Sequence, residues 1–198
     1  DRNLPRITGQ IWDLLKQQNT PPVLFRHVGK VARVEVDDHQ QPGIVQLDKI
    51  QFRHVVARAA RWFRRTKDGE QVDAAPPMDV IEDALAIPQI PLPVLTGVVE
   101  APVFAKKGEI QIDPGYHKGS ELFYVPPDGL SVAPVPGKPT AAEIKAAKIL
   151  LLEDLLGDFP FTGEAELAHA VALLLLPFVR NMIEGPTPLH LIEKPSPG

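Results

Sequence analysis

The stretch VLFRHVGKVARVEVDDHQQPGIVQLDKIQFRHVVARAARWFRRT, residues 23–66, decides the fold of the first half of the chain. Its first part alternates apolar and polar residues on both sides of Gly29-Lys30, which predicts a β-hairpin with a turn at that dipeptide. Residues 44–47 predict a third short strand. Asp48 and Gln51 have the spacing of a capping box, so a helix is expected to begin at Lys49. The pattern therefore predicts a small module that combines a hairpin with a helix.

Two further helices are expected to flank this stretch within the same module. Thr8 is a candidate N-cap for an apolar helical pattern that ends at Pro21-Pro22, because consecutive prolines cannot continue a helix. Residues 78–86 predict a short helix, and the sequence PQIPLP that follows it has the composition of a stiff extended connector. We place a boundary at this connector, so residues 1–90 form a small α+β module with a basic helix.

Residues 91–198 are expected to form a second module with its own order of elements. Three short apolar stretches predict a β-meander, and a connector rich in proline and glycine follows it. Thr140 and Glu143 form a capping box for a helix over 141–156, and residues 164–183 predict a second helix that is apolar nearly all round. Such a helix is usually buried, so the two are expected to pack as an antiparallel hairpin that leads into a strand at 189–192. The fold class predicted for the whole chain is α+β.

Composition limits the classes of function. The chain has 198 residues with 21 Lys and Arg against 25 Asp and Glu, a net charge of −4, so any nucleic-acid surface must be local. Cysteine is absent, which excludes disulfides, Cys-ligated zinc and thiol nucleophiles and fits a reducing compartment, so we expect a cytoplasmic protein. The longest apolar run, residues 170–179, is too short to cross a bilayer, so no membrane partner is expected.

The predicted helix over residues 49–66 carries the strongest charge bias in the sequence, with no acidic residue in it. His54, Arg58, Arg61 and Arg65 have the spacing that would align them along one face of a helix. Such a stripe can neutralise phosphates of a nucleic-acid backbone. The alternative is a solvated helix face that pairs with acids elsewhere. The candidate nucleic-acid-binding residues are Lys49, Arg53, Arg58, Arg61, Arg64 and Arg65.

No catalytic or metal-binding constellation is recognisable. The six histidines lack the spacing of helical metal ligands, and the serines lack the context of a catalytic nucleophile. Asp37-Asp38-His39 could hold a cation, but a solvated turn is the better interpretation. We therefore predict no catalytic residue and no metal ligand in this chain.

The last residues suggest the beginning of a phosphate-binding loop. The apolar run LHLI leads into Pro195-Ser196-Pro197-Gly198, as a strand leads into a glycine-rich turn in P-loop proteins. Pro197 and Gly198 would begin the loop, but the Gly-Lys that holds phosphates is absent. The alternative is an ordinary turn.

Several segments together resemble a family of proteins. These are NTPPVLFRHVGKVARVEVDD, PPMDVIEDAL, LPVLTGVVEAPVFAKKGEIQIDPGYHKGSELFYVPP, LLLEDLLGDFPF and GPTPLHLIEKPSPG. Their order is similar to the region that precedes the P-loop ATPase in phage- and plasmid-type primase–helicase proteins, an arrangement comparable to that of the pox-virus-type primase–helicases.

The resemblance implies a function for this region without implying catalysis by it. It implies a DNA-engaging and assembly region of a mobile-element replication ATPase, whose parent protein would use ATP and magnesium and would form a homo-oligomer. DNA, single- or double-stranded, is the implied partner. The alternative is an oligomerisation or protein-interaction scaffold that does not bind DNA, in which the apolar helix over residues 164–183 would form an interface.

Overall fold

A computed structural model describes residues 3–192 and confirms the α+β class, with five α-helices and several small antiparallel sheets among these residues. The chain divides into two compact units. The first is Asp1–Val98 with Gly115–Val125, and the second is Val99–Pro114 with Pro126–Gly198. The boundary expected near residue 90 thus lies inside the first of these units.

The elements follow one another in an order that mixes short strands with helices. They are α1 Leu4–Gln18, β1 Phe25–His27, β2 Lys30–Val36, β3 Pro42–Gln46, α2 Lys49–Ala59, β4 Phe63–Arg65, β5 Gln71–Asp73, α3 Met78–Leu85, β6 Gly97–Val99, β7 Val103–Phe104, β8 Ile110–Gln111, β9 Gly115–His117, β10 Leu122–Tyr124, α4 Ala141–Ile149 and α5 Glu164–Val179.

The predicted hairpin and third strand form an antiparallel sheet in the order β1-β2-β3. The turn lies one residue earlier than expected, because His27 pairs with Lys30 and leaves Val28-Gly29 as the two-residue loop. Both loop residues have positive φ, 47° at Val28 and 77° at Gly29. Gly29 adopts this conformation without steric cost, whereas a β-branched valine is strained in it.

α1, α2 and α3 pack on one another around the core of the first unit, and Val31 of β2 joins this core. Trp12 is buried, stacks on Phe52 of α2 with 5.4 Å between ring centroids, and donates its indole N–H to the Ala84 carbonyl of α3 over 3.2 Å. Thr8 does not cap α1 as predicted. Asn3 is the N-cap, and Thr8 lies within the helix, where its hydroxyl donates to Asp83 over 2.6 Å.

The proline-rich segment that we predicted to be a connector is part of the first unit's core. Ile90 and Leu92 are buried with the helices, so the sequence PQIPLP does not separate two modules. Arg26 N–H donates to the Pro93 carbonyl over 2.8 Å, and Leu95 N–H donates to the Arg26 carbonyl over 2.9 Å. These bonds place the segment beside β1. Burial of Ile90 and Leu92 favours this position of the segment.

Aromatic residues from the second half of the sequence pack on Phe25 of β1, on the side of the sheet opposite to Val31. Phe25 is fully buried against Tyr116 and Phe123, with ring centroids 5.0 and 5.8 Å away. These residues belong to a sheet in the order β6-β10-β9, while β7 and β8 form a separate two-stranded pair. The predicted single meander is therefore wrong, since its strands belong to two sheets.

The second unit contains the helices that we expected to pack as a hairpin. The capping box of Thr140 and Glu143 is present, and α4 continues as a π-helical turn over Leu150–Leu155. α4 and α5 have no buried residue and no extensive contact with each other, so the expected packed helical pair is not formed. Instead, α5 packs along β7, and Asn181 donates to the Phe104 carbonyl over 3.2 Å.

The apolar surface of the second unit extends to the end of the described chain. Leu189 and Leu191 are 95% and 87% exposed and form no strand, so the predicted buried strand at 189–192 is wrong. By length and composition alone, the helical stretch Glu164–Met182 could cross a bilayer, although its uninterrupted apolar run has only ten residues, and none of the stretch is buried.

The strained turn gives a first prediction. Val28→Asn should raise the free energy of unfolding by about 1 kcal/mol, because asparagine tolerates a positive φ and Asn-Gly is favoured in this turn. Val28 is 81% exposed, so the substitution removes little buried apolar surface. Urea unfolding midpoints at constant m-value measure the change. Val36→Asn, also exposed but in a strand, is the control that should lose stability. Equal losses at both positions would contradict the strain at Val28.

Tyr116 gives a prediction on pH. Burial, followed by the charge of Glu121, raises the pKa of Tyr116, and its hydroxyl donates to the Val94 carbonyl over 2.8 Å. Its contribution to stability is fully present below the unfolded pKa of about 10 and is lost as the pH rises through the higher folded value. Tyr116→Phe should cost about 1 kcal/mol at pH 7 through the lost hydrogen bond. As the pH rises from 9 to 11, the free energy of unfolding should fall less in the variant than in the wild type. Equal falls in both proteins would show that ionisation of Tyr116 does not contribute to the pH dependence of stability.

Candidate nucleic-acid interface

The helix that begins the candidate interface starts where predicted and ends earlier. Asp48 accepts from Gln51 N–H over 2.7 Å and Gln51 accepts from Asp48 N–H over 3.0 Å, which confirms the capping box. α2 ends at Ala59, and Ala60 is fully extended. Carbonyls of the last turn are satisfied from outside the helix, because Trp62 donates its indole N–H to Val56 and Gln18 donates its amide to Ala59.

A β-hairpin follows, where the sequence analysis predicted the last turns of the helix. β4 and β5 pair antiparallel, Thr66 N–H donates to the Glu70 carbonyl over 2.9 Å, and the turn contains Gly69 at φ 86°. All residues of both strands are exposed. The predicted stripe of His54, Arg58, Arg61 and Arg65 is therefore wrong, because the helix ends before Arg61 and helical spacing no longer aligns the four.

Two of the six predicted contact residues are held by acids. Lys49 Nζ lies 3.0 Å from Glu82, and Arg61 Nε lies 2.9 Å from Asp73. The hydrogen bond from Arg61 to Asp73, and then the charge of that carboxylate, raises the pKa of Arg61. Both pairs are exposed, so each contributes little to stability, but each charge is already partly neutralised.

Two more of the six predicted contact residues, Arg53 and Arg58, form hydrogen bonds with neighbouring groups. Arg53 Nε donates to the Pro76 carbonyl over 2.8 Å and is half-buried, which gives it a structural role. Arg58 donates to Nδ1 of His54 over 2.8 Å at the exposed surface. His54 and Arg58 line an open groove of about 370 Å³ together with apolar residues that include Leu15, Leu24 and Val55.

Arg64 and Arg65 remain as exposed cations on the hairpin. Among residues 3–192 no acidic side chain forms an ion pair with either of them, or with Lys67 in the turn. The two arginines lie on opposite sides of the ribbon, because neighbouring residues of a strand point to opposite faces. The six predicted residues thus form no single surface, and the hairpin is the part that remains available.

The hairpin also contains residues that the sequence analysis did not select. Phe63 is 51% exposed at the base of β4, and Lys67 lies in the turn. Asp68-Gly69 between two short alternating segments is a recognised hairpin signal, and it could have located this element from sequence. The acids Asp68, Glu70 and Asp73 follow the basic residues, so residues 61–73 carry four positive and three negative charges.

The sequence analysis also considered a phosphate-binding loop and the Asp37-Asp38-His39 cluster. Pro197 and Gly198, the predicted start of a phosphate-binding loop, lie outside the described residues. The Asp37 carboxylate accepts from the N–H groups of His39 and Gln41, both over 2.8 Å, so it organises a turn. Within residues 3–192 no three His, Asp or Glu side chains are grouped as metal ligands would be.

Comparisons of the chain with protein-family models, with curated proteins and with solved structures find no match.

Proposed function

We propose that this chain binds nucleic acid through the β4–β5 hairpin, as the DNA-engaging part of a replication ATPase. One observation carries the proposal: Arg64, Arg65 and Lys67 project from an exposed two-stranded ribbon without an acidic partner among residues 3–192. A ribbon of this kind is narrow enough to enter the major groove of a duplex or to lie along a single strand. Its cations would contact phosphates and release counterions.

The ionic arrangement supports a small local contact. With a net charge of −4, the chain as a whole repels a polyanion, so binding must depend on the few cations that acids do not neutralise. Lys49 and Arg61 would contribute less than Arg64 and Arg65, because they already form ion pairs. The resulting affinity would be moderate, nearly independent of sequence and sensitive to salt.

The resemblance to primase–helicase proteins extends the proposal to the parent protein. In that proposal the parent binds ATP and magnesium in a P-loop domain and assembles as a homo-oligomer in the cytoplasm, and this region holds DNA without catalysing a reaction.

The proposal predicts the effect of reversing two charges. Arg64→Glu with Arg65→Glu should lower the affinity for a labelled 20-nucleotide DNA about 10-fold or more and reduce the slope of log affinity against log salt by about two. Fluorescence anisotropy across a salt series measures both quantities.

The matched control is Lys106→Glu with Lys107→Glu, which makes the same change in net charge at exposed lysines of the second unit. It should change the affinity only slightly. An equal loss in both double variants would mean that net charge alone governs binding, and unchanged affinity in the hairpin variant would refute the proposed interface.

The second candidate function is the scaffold, which one observation favours. α5 is apolar nearly all round, has no buried residue, and exposes Leu175 and Phe178. If a second copy of the chain covers this helix, sedimentation velocity should show a mass that rises with concentration, and Leu175→Gln should shift it toward the monomer. A concentration-independent monomer would exclude self-association, while DNA binding by that monomer would leave the first proposal as the function.

A further inference from the structure

The two sides of the β4–β5 ribbon differ in chemistry. Paired residues of an antiparallel ladder share a side, so Phe63 and Asp73 lie with Arg65 and Gln71. Arg64 lies on the other side with Val72. One side therefore has an exposed aromatic ring next to an exposed arginine, and the other has an arginine next to an aliphatic residue.

The acids of the hairpin are divided between these sides in an unequal way. Asp73, beside Phe63, is occupied by its ion pair with Arg61. Glu70 pairs across the ladder with Thr66 through the backbone, which places it on Arg64's side by alternation. The side of Phe63 and Arg65 thus keeps the more positive character, because its one acidic residue, Asp73, is paired with Arg61.

The exposure of Phe63 contrasts with the burial of the aromatic residue before it. Its neighbour Trp62 is half-buried against the core and donates its indole N–H to Val56, whereas Phe63 has half of its surface in water. In the described part of the chain its ring is not stacked on another aromatic ring. An exposed aromatic ring beside an arginine is the arrangement with which proteins stack an unpaired base and hold its phosphate.

We infer that the ligand of the hairpin is single-stranded nucleic acid, with Phe63 stacking on a base and Arg65 contacting the neighbouring phosphate. This inference rests on the proposed function and adds the substrate class to it. A base inside a duplex is already stacked on both faces and cannot receive the ring, so Phe63 would favour single strands over duplexes. Arg64, on the opposite side, would add charge without this preference.

Replacement of the ring tests the inference. Phe63→Leu keeps an apolar side chain of similar size and should weaken binding of labelled dT20 and rU20 about 10-fold, since stacking contributes on the order of that factor per base. Affinity for a 20-base-pair duplex should change less than 2-fold. Phe63→Tyr should retain the affinity for single strands, and Val72→Ala on the other side should leave every affinity unchanged. Thermal unfolding of each variant verifies that it is folded.

A spectroscopic measurement reports stacking directly. Phe63→Trp should bind dT20 as tightly as the wild type. The wild type contains only Trp12 and Trp62, so the variant has one additional source of tryptophan fluorescence. That additional fluorescence should be quenched when dT20 binds. Absence of additional quenching, or an equal loss for single strands and duplex in Phe63→Leu, would overturn the stacking.

The charge-reversal variant separates this inference from the proposed function. If Arg64→Glu with Arg65→Glu weakens binding while Phe63→Leu does not, nucleic-acid binding stands and the base-stacking role is wrong. If neither variant changes the affinity, both the interface and the inference fail.

Discussion

The burial of Trp12 is the interaction on which the first unit depends. Its ring stacks on Phe52 and its indole N–H reaches the Ala84 carbonyl, so one side chain connects all three helices of the first unit. A buried indole must satisfy its N–H, and the Ala84 carbonyl near the end of α3 does so without a side-chain partner. This contact fixes the position of α2. It therefore also fixes where the basic hairpin begins, because the hairpin follows the end of α2.

The end of α2 decides which charges are available at the surface. Helical spacing would have aligned four basic residues, but Trp62 turns back onto the last helical turn and Gln18 of α1 supplies a second donor there. These contacts between distant parts of the sequence favour an extended chain after Ala59 over a continued helix. The basic residues of α2 and Arg61 are consequently occupied by partners, whereas Arg64 and Arg65 of the ribbon face water.

In the second unit, the most apolar helix of the chain is not buried. Its helix α5 has the composition of a core helix, yet none of its residues is buried, and Leu189 and Leu191 are nearly fully exposed. A helix that is apolar on all sides is stable in water only when other surfaces enclose it. This unit therefore carries exposed apolar surface, and that surface is the observation behind the scaffold proposed as the second candidate function.

The sequence by itself determined the local features: the α+β class, the β1–β2 hairpin, and both capping boxes at Asp48 and Thr140. The hairpin and the capping boxes each depend on residues within a few positions of one another. The tertiary structure alone decided that Ile90 and Leu92 join the core and that the predicted meander divides between two sheets. It also decided between the helical spacing after Ala59 and the Asp68-Gly69 hairpin signal, which compete in the sequence. The candidate site depended on that last choice, because periodicity cannot register donors such as Gln18 that lie some forty residues away and satisfy the end of the helix.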